Sequence, residues 1–177
     1  MRKILLIGCL VVVAIALGFY QEQLKISINY ILENAPRIAG FYGLNEEQKH
    51  QAIEAQRFTA PFDYYHSHET LRWLYKFNEL ELLRLKWAVT FVSLLVFFII
   101  NASLLRLLEG NSRVLTRLAL IYLIFTSLAF AIYAVGKLMS MPDQTYAISR
   151  RITGALQSLV PVMIVWPFLR LSKQNNT

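Results

Sequence analysis

The chain has 177 residues, 56% of them hydrophobic and 16% charged, with a net charge of +7 and one cysteine. Soluble domains average roughly 45–50% apolar and about 25% charged. The excess is gathered into four blocks, which excludes an ordinary soluble globule and points to a polytopic membrane protein. No Lys/Arg cluster lies beside a stacking face, so the basic residues at the ends of the apolar runs point to lipid phosphates and topology, and nucleic acid is not expected as a partner.

Met1-Arg2-Lys3 and the apolar residues 4–20 make a charged start and a first span. The run fits a retained helix or a cleaved signal, with Ala14-Ile15-Ala16 and Ala16-Leu17-Gly18 as cleavage sites; retention is the reading adopted, and either way residue 21 emerges outside the cytoplasm. Ala14 and Gly18 put small residues four apart on one face, which lets a second helix approach. Leu6-Ile7-Gly8-Cys9 matches the pattern before a lipid-modified cysteine. Too little apolar chain precedes it for a signal, so Cys9 is expected to be a buried small side chain. A lone cysteine excludes an internal disulfide and a multi-cysteine metal site.

Residues 21–86 are expected to form an extracytoplasmic helical segment in which opposite charges nearly cancel. Ile26, Ile28 and Ile31 suggest a helical face that Asn34-Ala35-Pro36 breaks. Gly40 and Gly43 bracket a turn at Phe41-Tyr42. Asn45-Glu46-Glu47-Gln48 predicts a cap and a helix to Arg57, which must end before Pro61. Ser67 is a candidate cap. Beyond it Leu71, Leu74, Tyr75, Leu82 and Leu85 share one face, opposite Glu69, Arg72, Lys76 and Glu79. With no breaker before Trp87, one helix from His68 to Leu108 is predicted, with Trp73 and Trp87 marking interface depth.

Residues 87–108 and 113–139 are the second and third spans. Their stretches 87–105 and 118–136 carry no charge, and each approaches the ~20 residues that cross a hydrocarbon core. Between them Glu109-Gly110-Asn111-Ser112 predicts a tight turn, with Gly110 left-handed and Asn111 or Ser112 capping the next helix. Ser140 with Asp143 resembles a capping box. Arg150-Arg151 precede the last span, 152–170, in which Pro161 and Pro167 should kink or end the helix and Gly154 with Ser158 offers a close-approach face. The fold class is therefore all-α: four transmembrane helices with a helical extracytoplasmic segment between the first two. Arg2, Lys3, Arg106, Arg113, Arg117, Arg170 and Lys173 fall on one side, which makes both termini cytoplasmic; Lys137, Arg150 and Arg151 run against that rule.

Candidate chemistry is sparse. His66 and His68, with Asp63, Glu69 and His50, form the best metal candidate, since imidazole and carboxylate suit zinc. Two imidazoles two residues apart converge only on an extended segment, so interfacial polar residues are the plainer reading. Arg150 and Arg151 suit an anionic ligand, a lipid phosphate or a partner carboxylate, against simple snorkelling to phosphates. Asn101 and Gln157 are polar residues inside apolar runs, where interhelical hydrogen bonding competes with a transport or catalytic role. No phosphate loop or nucleophile elbow is present, and no cofactor is expected.

Phe62-Asp63-Tyr64-Tyr65, Tyr146 with Arg150-Arg151, Leu159-Val160-Pro161 and Trp166-Pro167-Phe168 carry a resemblance to small exosortase-associated membrane proteins of Gram-negative bacteria. That resemblance covers most of the chain as a layout, and residue for residue only those short pieces. It implies an accessory role in the inner membrane, beside a larger membrane peptidase or transpeptidase that sorts proteins to the cell surface. The exosortase enzymes use cysteine, arginine and histidine at the membrane. Here Cys9 lies near the start and the histidines in the loop, so the chain does not resemble the enzyme. Two functions are expected: a non-catalytic accessory or scaffold subunit with a larger membrane partner and membrane lipids around it, or an enzyme or carrier acting on a lipid-linked or exported substrate at the outer face.

Overall fold

The computed structural model describes residues 1–56, 69–110, 113–139 and 141–174. Among them the α-helices are α1 (Arg2–Asn34), α2 (Glu46–Gln56), α3 (Glu79–Glu109), α4 (Arg113–Leu138), α5 (Pro142–Leu156) and α6 (Val160–Gln174), with 3₁₀ turns at Ala35–Arg37, Phe41–Gly43 and Glu69–Lys76. The fold is all-α. Segments Arg2–Arg37, Glu79–Glu109 and Val114–Leu138 are each long and apolar enough to cross a bilayer, and the pair Gln144–Leu156 and Val160–Leu171, bent by 60°, makes a fourth if its arms are one broken span. Helix length and composition are thus those of a multi-pass membrane protein. The chain divides into two compact units, Met1–Gly18 with Val92–Thr177, and Phe19–Phe91.

In the Phe19–Phe91 unit the end of α1 supplies Leu24, Ile28 and Ile31 to a core completed by Phe41, Ile53, Leu71, Leu74, Tyr75 and Leu82. Helix α1 does not stop after a 4–20 span but runs on to Asn34. Gln21, Glu22, Gln23 and Lys25 are straight-chain helix formers that lose little rotamer freedom, and Lys25 Nζ donates to Gln21 Oε1 one turn back (3.2 Å). The helix ends where Asn34 Nδ2 turns back onto the Tyr30 carbonyl (2.8 Å) and Pro36 cannot donate. Gly40 takes φ 69° at the following turn. Helix α2 opens on the expected cap: Asn45 Oδ1 accepts the Gln48 N–H at 2.9 Å, and Gln48 Oε1 accepts the Asn45 N–H at 3.1 Å.

The continuous helix from His68 to Leu108 is not formed. Glu69–Lys76 is 3₁₀, whose three-residue period stacks Leu71 and Leu74 into the core. Asn78 is the missed breaker: it accepts the Glu81 N–H and its own N–H reaches Glu81 Oε2, both at 2.9 Å. Asparagine competes with the helical ladder and favours a cap, so α3 starts afresh at Glu79. Trp73, partly buried, packs edge-on against Phe77 (5.8 Å) and against the core. Trp87 stays exposed, stacked on Phe91.

In the other unit the start of α1 lies on α3, where Ala14 is buried with Phe97, Ile100 and Leu104. A Cβ on Gly18 would sit 3.6 Å from the Phe97 ring, so the expected small-residue face is in use. Cys9 is exposed rather than buried, because it lies off that face. Gly110 adopts φ 68° and its N–H closes on the Arg106 carbonyl at 2.9 Å; Asn111 and Ser112 lie outside the described residues. Helix α5 folds back along α4. Its N-cap is Met141, which offers no side-chain bond, rather than Ser140, itself outside the described residues; Pro142 at the first position needs no N–H partner.

Of the two outcomes expected at Pro161, a kink or an end, the helix ends. Pro161 has no N–H to give the carbonyl four residues back, and its ring would collide with it, so α5 stops at Leu156 and α6 starts at Val160. Pro167 lies within α6 without ending it.

Candidate functional site

The break between α5 and α6 leaves carbonyls with no helical partner, and in a membrane such groups cost several kcal/mol each unless satisfied. Two side chains from other helices meet them. Asn101, on α3 and 0% exposed, donates through Nδ2 to the Ser158 carbonyl (2.9 Å) and to Tyr122 Oη (2.8 Å). Tyr122, on α4, donates in turn to the Leu156 carbonyl (2.7 Å). The Ser158 carbonyl can only accept, so it fixes which end of the Asn101 amide faces it. Ser158 itself staples the two arms: its hydroxyl donates to Ala155 (2.6 Å) and accepts the Val160 N–H (3.1 Å). Phe98 packs edge-on against Tyr122 at 5.2 Å and shields the bonds. Asn101 Oδ1 is buried and meets no hydrogen-bond partner among the described residues.

Gln157 is buried at the C-cap of α5, where its backbone N–H closes on the Thr153 carbonyl at 3.0 Å. Asn101 and Gln157, found separately in the sequence, therefore converge on one break. Tyr122 was missed because a tyrosine in an apolar run looks like core. The only sequence signal was Pro161, which requires a break that something must satisfy.

Arg150 and Arg151 lie inside a helix, α5. Arg150 is half-buried and Arg151 exposed. The expected close-approach face at Gly154 is open, with nothing within 4 Å of a Cβ placed there. Close approach occurs instead at Gly136, where a Cβ would overlap the Thr145 side chain.

Of the metal candidates, His66, His68 and Asp63 lie outside the described residues, as does the Glu69 side chain. His50, on α2, packs edge-on against Tyr75 (5.6 Å). Among the described residues no group of three or more His, Cys, Asp or Glu side chains is placed to hold a metal ion.

A second polar group, also missed, lies in the Phe19–Phe91 unit. Lys49 is 6% exposed, and its ammonium donates to the Tyr75 carbonyl at 3.0 Å. It stands 5.8 and 5.9 Å from the Phe41 and Tyr42 ring centroids, where the negative ring faces favour a cation. Tyr42 stays neutral: burial first, and then the Glu79 carboxylate, push its phenol above the ordinary value. Arg72 with Glu47 and Lys76 with Glu46, each at 3.9 Å, tie the 3₁₀ turn to α2. This arrangement fastens a small core.

No protein-family model matches the chain, and no curated protein or solved structure is significantly similar to it.

Proposed function

We propose that this protein is a non-catalytic accessory or scaffold subunit of a bacterial membrane complex, seated in the inner membrane with both termini cytoplasmic and linked to exosortase-type sorting of proteins to the cell surface. The observation that carries the subunit role is the use made of Asn101 and Tyr122. Their donors are engaged by backbone carbonyls of the α5–α6 break, so the polar side chains in the apolar core hold helices in place. The exosortase link is supported by the aromatic and arginine pieces that resemble that family, and the orientation by the basic residues at the ends of α1, α3, α4 and α6. The partner is a larger membrane protein.

The test is isolation of the tagged full-length chain from its native membrane in mild detergent, with a parallel strain that lacks it. A stoichiometric membrane peptidase or transpeptidase in the isolate, and surface proteins left unsorted in the deletion strain, are the expected results. A chain that elutes alone, together with unchanged sorting, would remove the reading.

A further inference from the structure

Three uncharged runs each stop at an arginine: Arg106 follows 87–105, Arg117 precedes 118–136, and Arg170 follows 152–169. The fold brings the three stops to one level. Asn101 and Tyr122 are bonded to each other at 2.8 Å; Arg106 lies five residues past Asn101, and Arg117 five before Tyr122. Both therefore stand about 7–8 Å from that bond, toward the Gly110 turn, at 1.5 Å per residue. Helix α6 leaves from the same place, since the Ser158 carbonyl accepts from Asn101. Its predecessor α5 comes down α4 from the Gly136–Thr145 contact to the Tyr122–Leu156 bond. Arg170 is a further twelve residues on, about 18 Å along α6, and the 60° bend leaves about half of that as descent beside α4.

These stops also share a core. Leu105, Leu118 and Leu169, each the chain neighbour of one of the arginines, are buried in a single apolar cluster, while Arg106, Arg117 and Arg170 are exposed. Three guanidiniums thus leave one core from three helices. Arg170 is held in place as well, with its guanidinium 4.8 Å from the Trp166 ring centroid. A stacked guanidinium uses its face, and the N–H donors in its plane stay available to an anion. Glu109, three residues past Arg106, adds one carboxylate to this end, so the three arginines outnumber it. Away from the Gly110 turn, Ile99, Leu120, Leu123 and Ile164 are exposed on the same helices. Guanidinium forks match phosphate oxygens, and these apolar side chains match acyl chains. Arginines that only snorkel reach separate lipids, and need neither a shared core nor a stacked ring.

We propose that Arg106, Arg117 and Arg170 together form a binding site for the phosphate of an anionic membrane phospholipid, at the end of the helices that carries the Gly110 turn. The site is independent of the subunit role proposed above.

The full-length chain, purified in mild detergent, is equilibrated with phosphatidylglycerol and the retained lipid counted by native mass spectrometry. The parent is expected to retain lipid. R106Q, R117Q and R170Q are each expected to weaken retention about tenfold, the effect of losing one charge-assisted hydrogen bond. R170K should fall between R170Q and the parent, since lysine keeps the charge without the fork. All of these variants alter exposed side chains, so each keeps the fold. K137Q removes the same charge from an exposed residue at the other end of α4, and is expected to retain lipid as the parent does. A parent that holds no lipid would overturn the site, as would retention unchanged in any of the three glutamine variants at Arg106, Arg117 and Arg170. An equal loss in K137Q would overturn it too, because net charge alone would then be drawing the lipid. An excess of inorganic phosphate is expected not to displace the lipid; displacement would assign the arginines to a soluble anion instead.

Discussion

Asn101 and Tyr122 show how one amide and one phenol decide the path of a distant chain. Their partners lie 57 and 34 residues away, in the carbonyls of Ser158 and Leu156. Tyr122→Phe keeps the ring packing against Phe98 and deletes the hydroxyl, leaving the Leu156 carbonyl unsatisfied. Interhelical bonds of this kind contribute about 0.6–2 kcal/mol. Unfolding in mixed micelles should therefore register a loss of that size, and an unmoved midpoint would mean the bond does not support the break. Asn101→Leu removes both donors at once and is expected to cost more. A double-mutant cycle should find the two losses less than additive, because the same hydrogen bond is removed in each. A polar residue in an apolar run was legible at Asn101, but the identity of its partners was not. Sequence spacing carries no information about which carbonyls a break elsewhere will expose. Lys49 escaped for the same reason, since its acceptor belongs to Tyr75, in a different element.

Among elements, boundaries set by local chemistry were readable and those set by competition were misjudged. The cap at Asn45 with Gln48, the left-handed Gly110 and the break at Asn34-Ala35-Pro36 all follow from neighbours in sequence. Asn78 was overlooked because the apolar pattern carries straight across it, while its capping box with Glu81 ends one element and begins another. Asn78→Ala should cost about 1 kcal/mol. Hydrogen exchange would locate the effect in the first turn of α3; faster exchange spread evenly along the helix would argue against a cap. The α4–α5 pair depends on Gly136, where a Cβ would overlap the Cβ and Oγ1 of Thr145. Neither atom is the far end of a flexible chain, so Gly136→Val must push the helices apart. The thermal midpoint in detergent should fall and the Tyr122–Leu156 bond weaken with it. A variant as stable as the parent would contradict the close packing.

For the whole molecule, the testable statement is the number of crossings. If α4 spans the bilayer, cysteines placed at Gly110 and Met141 in a Cys9→Ser background should react with an impermeant reagent from opposite sides. Labelling of both from one side would reject the span. Two things were settled by the chain itself: that the protein is all-helical, and that its apolar helices are long enough for a membrane. These follow from composition and period, because a run of about 20 uncharged residues has few stable surroundings other than lipid and few structures other than a helix. The tertiary structure alone decided which side chains satisfy the break that Pro161 calls for, and that Arg150 and Arg151 lie inside a helix, α5, that folds back along α4. Those outcomes depend on the register between antiparallel helices. Register is set by where a glycine admits a neighbour and where a stray carbonyl finds a donor, and both are properties of pairs far apart in the chain.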